Sequence, residues 1–209
     1  MIKLKNVTKT IKVDNRQIDI LKNINLQINE HDFVVITGAS GSGKSTLLNI
    51  IGGLDSYSEG LYSFDGYPIQ NEHDRMNLRR KDIAMIVQNF ALIPNLSVIE
   101  NIDLAQKDHA YADELLKLLG IFEQKRKKVK YLSGGEKQKV AIIRALIKRP
   151  RVLLADEPTG ALDSKNSQEI VDLLFELNKQ GLAIVLVTHN DEIAKLIDKH
   201  YVISDGNLA

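Results

Sequence analysis

The run Gly38-Ala39-Ser40-Gly41-Ser42-Gly43-Lys44-Ser45 has the spacing G-x-x-x-x-G-K-[ST] of a loop built to hold phosphate. Glycines at 38, 41 and 43 tolerate backbone angles that other residues resist, so successive N–H groups can converge on phosphate oxygens. Lys44 brings a point charge to the outer phosphates, and Thr46 extends the contact set. The Ser45 hydroxyl suits magnesium, a hard cation that prefers oxygen ligands. Further along, the apolar run Val152-Leu153-Leu154-Ala155 ends in Asp156-Glu157. A carboxylate at the end of a buried strand beside a phosphate loop is placed to hold the magnesium shell, and the next one to act as general base on water. Asp156 takes the first role and Glu157 the second.

These groups need elements to position them. Phe33-Val34-Val35-Ile36 reads as a buried strand, and Leu47, Leu48, Ile50 and Ile51 recur at helical spacing over residues 46–54. The loop therefore sits between a strand and a helix N-terminus, whose dipole favours anions. Strand-like segments lie near 2–8, 18–28, 33–37, 60–64, 83–87, 152–155, 183–188 and 200–204. The early ones alternate with polar residues, as in an antiparallel edge sheet, and the later ones are apolar throughout, as in a parallel core wrapped by helices. A helix over 164–180 would bury Ile170, Leu173, Leu174 and Leu177 and stop at Gly181. Ser97-x-x-Glu100 reads as a capping box, another helix runs over 111–119 to Gly120, and one over 136–148 follows Gly135.

Together with these motifs, four further pieces make the chain resemble the ATP-binding-cassette family along essentially its whole length. Gln88 stands after the strand 83–87 like the family's glutamine loop, and Leu132-Ser133-Gly134-Gly135-Glu136 is similar to its signature, with Glu where many members have Gln. Ala161-Leu162-Asp163 looks like the D-loop, and His189, after the strand 184–187, like the switch histidine. The resemblance implies a phosphate-loop NTPase core with a parallel sheet, an N-terminal antiparallel β subdomain and a helical insert. The whole is one domain over 1–209, with core 1–88 and 136–209 and insert 89–135. It implies ATP and Mg²⁺ as cofactors, with Gln88 joining Ser45 and Asp156 at the metal and, with Glu157 and His189, in catalysis. It also implies a dimer around two ATP molecules, in which Ser133, Gly134 and Gly135 of one copy, with Asp163, meet the nucleotide held by the other. Glu157 to Asp163 is similar to the subfamily of macrolide exporters, lipoprotein-release machines and antimicrobial-peptide transporters. That implies an ATP-hydrolysing subunit at the cytoplasmic face of a membrane, driving export or extraction through a separate permease. A cassette ATPase that gates a cell-wall or division complex is the alternative.

The chain departs from the family pattern at the adenine. Aligned on Leu21-Lys22-Asn23, Ile11 falls where an aromatic usually stacks on the base, and no aromatic precedes Phe33. Ile11 is therefore the expected base contact, an aliphatic one. Two lesser departures are His31-Asp32 before the phosphate-loop strand and Lys139, where Arg is common.

Composition sets bounds on these readings. Net charge is +1, so no strong field argues for a nucleic-acid partner, and the absence of cysteine excludes disulfides and thiol chemistry. No apolar run approaches the ~18 residues that cross a bilayer, so the membrane-spanning part is expected on another chain. A chromosome-structuring or repair ATPase would carry a long coiled coil between the loop and the signature, and the insert here is too short for one. The basic run Lys125-Arg126-Lys127-Lys128-x-Lys130 reads as a solvated face, with contact to lipid headgroups or an acidic permease loop as the alternative, and His31, His73, His109 and His200 as surface or turn residues. Some of Phe90, Leu92, Ile93 and Leu96 are candidates to line a groove for a permease helix.

Overall fold

The structure is a computed structural model that describes residues 1–14, 16–87 and 89–209. Gln88 therefore lies outside the described residues.

The chain begins with a long hairpin of β1 (Ile2–Val13) and β2 (Arg16–Ile28), followed by β3 (Phe33–Thr37) and α1 (Lys44–Ile51). Next come β4 (Glu59–Phe64), β5 (Tyr67–Pro68), α2 (Glu72–Lys81) and β6 (Ile83–Ile86). Two helices, α3 (Val98–Asp103) and α4 (His109–Leu118), and two 3-10 turns lead to α5 (Gly134–Leu146). The chain closes with β7 (Val152–Asp156), α6 (Ser164–Lys179), β8 (Ala183–Val187), α7 (Asp191–Ala194), β9 (Lys199–Ser204) and β10 (Asn207–Leu208).

Two sheets result. One is antiparallel, in the order β2-β1-β4-β5, and the other runs β10-β9-β3-β8-β7-β6. In the second, β9, β3, β8, β7 and β6 are mutually parallel and β10 alone is antiparallel. The division follows residue type. β3, β7 and β8 are β-branched and aliphatic on both faces and are buried on both, as parallel strands under helices must be. β1 alternates over Ile2 to Lys5, with Ile2 and Leu4 buried and Lys3 and Lys5 exposed, and an irregularity between Leu4 and Val7 returns Val7 to the buried side, so one of its faces meets the core.

The helix α1 is sandwiched between the sheets. Leu47, Leu48, Ile50 and Ile51 pack in one cluster with Ile2, Leu4 and Leu21 of the hairpin and Val34, Ile36 and Leu154 of the parallel sheet. A second cluster on the other sheet face joins Leu153 and Ile184 to α3, α4, α5 and α6.

Most expected elements occur, with shifts that have local causes. The helix after the signature starts at Gly134 rather than 136, because the Ser133 side chain accepts from the Glu136 N–H and so fixes the cap. Ser97 and Glu100 form the expected capping box. In α6 the buried residues are Ile170, Val171, Leu174 and Leu177. Leu173, expected among them, is only partly buried at the edge of the core, so the apolar stripe is rotated toward Val171. His200 is exposed, as expected, and lies in β9 with its Nε2 2.7 Å from Thr37 Oγ1.

Candidate functional site

Sheet order assembles the site. β3, β8 and β7 are adjacent and parallel, so the segments leaving their carboxyl ends share one edge. Those segments begin with Gly38, Thr188 and Asp156-Glu157. In open α/β sheets this edge is where ligands bind.

The glycine loop wraps the start of α1 with Gly38, Gly41 and Gly43 at φ 151°, 78° and 110°. At Gly38 the constraint is severe, since an added Cβ would lie 2.2 Å from the main-chain oxygen of Ile203 on β9. Gly43 caps α1 with no side-chain hydrogen bond, so the first N–H groups of the helix remain available to an anion. Lys44 Nζ donates to the carbonyls of Gly38 and Ala39, both at 2.7 Å. The ammonium thus rests on the loop that it would leave, in part, to reach a phosphate.

Asp156 closes the opposite wall of the cavity, with the Ser45 hydroxyl lining it too. Burial pushes the Asp156 carboxyl above its ordinary value and the Glu157 charge adds to this, against the Ser45 hydroxyl and the Lys44 charge. Glu157 follows at φ 48°. A side chain other than Gly, Asn or Asp in this region carries strain on the order of 1 kcal/mol. The turn is held by the Glu157 N–H donating to Val187 O at 2.9 Å. It leaves the carboxylate 13% exposed, with Oε1 2.8 Å from His189 Nδ1 on a ring that is 72% exposed. Oε2 is buried with no hydrogen-bond partner among the described residues.

These groups line one cavity of about 510 Å³, formed by Gly38, Ser40, Gly41, Gly43, Lys44, Ser45 and Thr46 with Asp156, Glu157, His189 and Ile20. Several expected site residues are elsewhere. Ala39 and Ser42 belong to the loop but not to the cavity wall, Ser42 being turned inward and buried. Ile11 does not line it either, and the aliphatic wall is Ile20. Sequence reasoning missed Ile20, which carries no local mark and arrives only because β2 passes over the loop: an added Cβ on Gly43 would stand 3.0 Å from its carbonyl oxygen. Ile11 pairs with Ile18 near the far end of the hairpin, where Ile11, Val13 and Ile18 are all exposed.

Ser133, Gly134, Gly135 and Asp163 form a separate cluster. Ser133 caps α5 in a reciprocal box, Oγ accepting from the Glu136 N–H at 3.2 Å and Glu136 Oε2 accepting from the Ser133 N–H at 2.8 Å. Asp163 caps α6 by accepting from Asn166, whose side chain covers Gly135 so closely that an added Cβ would stand 2.3 Å from its oxygen. Two helix N-termini are thereby packed together, with Ser133 and Gly134 exposed to solvent. None of the four lines the cavity.

A second, smaller groove of about 360 Å³ opens between β6, α2, α3 and α5, with Leu54, Ile83, Met85 and Leu104 as its apolar wall and Arg79, Arg144 and Lys148 as cations. Phe90, Leu92, Ile93 and Leu96, candidates for such a groove, do not line it; Leu92 instead packs on the core.

The family model described as "ABC transporter" matches residues 21–160. The chain is 40% identical to the ABC transporter ATP-binding protein YvrO of Bacillus subtilis, over all of the chain and 95% of that protein. It is 40% identical to the macrolide export ATP-binding/permease protein MacB of Bdellovibrio bacteriovorus over 99% of the chain, which spans only 33% of MacB. Among solved structures, the dimeric ABC transporter cassette MJ0796, a Methanocaldococcus jannaschii protein, superposes with a TM-score of 0.90 at 42% identity, over all of this chain and 96% of that one. A second MJ0796 dimer, in a post-hydrolysis state bound to ADP and Pi, superposes with a TM-score of 0.90 at 40% identity over the same shares.

Proposed function

This chain belongs to the ABC transporter family, as an ATP-binding cassette that hydrolyses ATP, and we propose that it drives export or extraction through a membrane permease on another chain. The observation that carries the reading is the division of one chain into two half-sites. One is the cavity, with loop, carboxylates and histidine; the other is the exposed signature cluster, outside that cavity. Each half lacks what the other holds, so two copies facing each other complete two sites. The MJ0796 dimers support this arrangement, and the likeness to MacB supports an exporter.

In the hydrolytic step the loop N–H groups and Lys44 hold the outer phosphates. Glu157 takes a proton from the attacking water through a carboxylate oriented by its contact with His189. The partner's α5 N-terminus meets charge developing on the transferred phosphoryl. Gln88 is assigned to the metal shell and water by its place after β6. The residues present fit a magnesium ion, because Ser45 and Asp156 offer adjoining hard oxygens and the burial that raises Asp156 is offset by a cation beside it. That ion, when bound, neutralises phosphate charge. Chelating Mg²⁺ with EDTA is expected to abolish turnover, and turnover that persists would remove the metal role of Asp156.

Among the described residues, no Phe, Tyr or Trp lines the cavity. Ile11, Ile18 and Val13 form an exposed aliphatic surface on the hairpin, and we assign the adenine to its Ile11 end. Stacking on an aromatic is worth roughly 1–3 kcal/mol, or about 5- to 150-fold in Kd. The native chain is therefore expected to discriminate poorly between ATP and GTP, and Ile11→Tyr to tighten ATP binding within that range. Titration of both nucleotides decides the matter. Unchanged ATP affinity would move the base away from Ile11, leaving Ile20 as the aliphatic contact.

Among the described residues no helix is long and apolar enough to cross a membrane. We assign the chain to the cytoplasmic membrane face through its permease, and the groove with Leu54, Leu104 and three cations fits a short acidic helix of that partner. Reconstituting the chain with the permease in proteoliposomes tests the coupling. Turnover stimulated by transported substrate supports transport, whereas turnover indifferent to any substrate favours gating of a membrane-bound cell-wall or division complex.

A further inference from the structure

One cation in the core has no acidic partner. Arg144 sits in the last turn of α5, half-buried, and no carboxylate among the described residues lies within ion-pair distance. Its guanidinium instead donates to two consecutive main-chain carbonyls, Phe90 O at 2.8 Å and Ala91 O. Those two residues have φ 52° and 47°. Successive left-handed residues that are neither glycine nor asparagine are unfavourable and persist only where the surroundings impose them. Among the described residues, the other hydrogen bonds of this turn are local: Phe90 N–H donates to Val87 O at 3.1 Å, and Ala91 N–H to Asn89 O. Phe90 is half-buried and Ala91 exposed, and the fork of Arg144 spans both of their carbonyls.

The position of this clasp gives it consequences. The turn stands two residues after Gln88. The helix that holds it begins at Ser133-Gly134, and its 13 residues form one rigid rod. Arg144 also lines the small groove beside β6.

We propose that Arg144 is a positioning residue for ATP hydrolysis: its two hydrogen bonds lock the strained Phe90-Ala91 turn, which follows Gln88 in the chain, to the signature helix. The turn and α5 therefore act as one unit, and full turnover requires that the clasp hold. The inference rests on the assignment of Gln88 to the hydrolytic machinery. The clasp acts on the chemical step and leaves nucleotide binding to the phosphate loop.

The test is steady-state ATPase kinetics on the purified chain with Arg144→Gln and Arg144→Lys, with melting temperature and hydrogen exchange of the 89–92 amides measured alongside. Misplacement of a catalytic segment by about 1 Å costs on the order of 100-fold. Arg144→Gln is therefore expected to lower kcat by about 10- to 100-fold with KM for ATP nearly unchanged, and to speed exchange at 90–92. Lysine, a point donor without the planar fork, should restore part of kcat. A native kcat in Arg144→Gln overturns the proposal, as does unchanged exchange at 90–92. A loss shared equally by kcat, KM and melting temperature also overturns it, since that marks a merely structural residue. Should Arg144→Gln fail to fold, a native kcat in Arg144→Lys with one carbonyl released overturns the two-bond clasp, and a reduced kcat supports it. Gln88→Ala is run in parallel: native turnover there removes the role given to Gln88, independently of the Arg144 outcome.

Discussion

Glu157→Gln is expected to keep ATP binding and to lose turnover by about 10²- to 10⁴-fold, the usual contribution of a general base. The carboxylate is held for this task at a cost. Its backbone is left-handed at φ 48°, Oε1 contacts His189 at 2.8 Å, and Oε2 is buried with no partner among the described residues. A buried acceptor without a donor is a standing penalty that a bound water relieves. The amide keeps the shape and the His189 contact but cannot take the proton. ATP should consequently accumulate unhydrolysed between two copies, and the variant should sediment as an ATP-dependent dimer. Near-native turnover, measured with the permease present, would remove Glu157 as the base and leave His189 as the group to examine.

Ser133→Arg, placed in the Glu157→Gln background, is expected to abolish that dimer while leaving ATP binding by the monomer close to native. Ser133 and Gly134 are exposed at the start of α5, outside the cavity that holds the phosphate loop. A long side chain there has room in the monomer but would fill the space in which the partner's nucleotide must lie. Arginine also gives up the cap on the Glu136 N–H, a loss of roughly 1 kcal/mol, which a matched Ser133→Ala control separates from the steric effect. Sedimentation with and without ATP reads the outcome. An unaltered dimer would mean that the signature does not complete the partner's site.

Parts of this molecule were legible from residue order alone. The eight residues of the phosphate loop carry their own reason: glycines at three places, then a cation and a hydroxyl, need only a strand before and a helix after, and both have their own apolar periods. Asp156 and Glu157 were legible because a run of four aliphatic residues leads directly into them. The cap residues Ser97, Ser133 and Asp163 were positioned by short-range hydrogen-bond chemistry that spans three residues. Ile20 and Arg144 were not legible. Each does its work through backbone atoms distant in sequence, Ile20 by standing over Gly43 and Arg144 by holding carbonyls at 90 and 91, and a backbone carbonyl has no letter in the sequence. In α6 periodicity picks out Ile170, Leu174 and Leu177 but takes Leu173 in place of Val171, because it gives a face while the partner sheet selects its rotation.

Which chemistry is available, and on which kind of element each group sits, can be read along the chain, since loop flexibility, helix caps and apolar periods are local properties. Who stands beside whom is a matter of packing. Only the order β3-β8-β7 brings the loop, His189 and the Asp156-Glu157 pair to one edge, and only the packing of α5 on α6 leaves the signature facing outward. These are non-local pairings, set by how two sheets bury α1 and how the helices cover the remaining face, and no short stretch of the chain contains them.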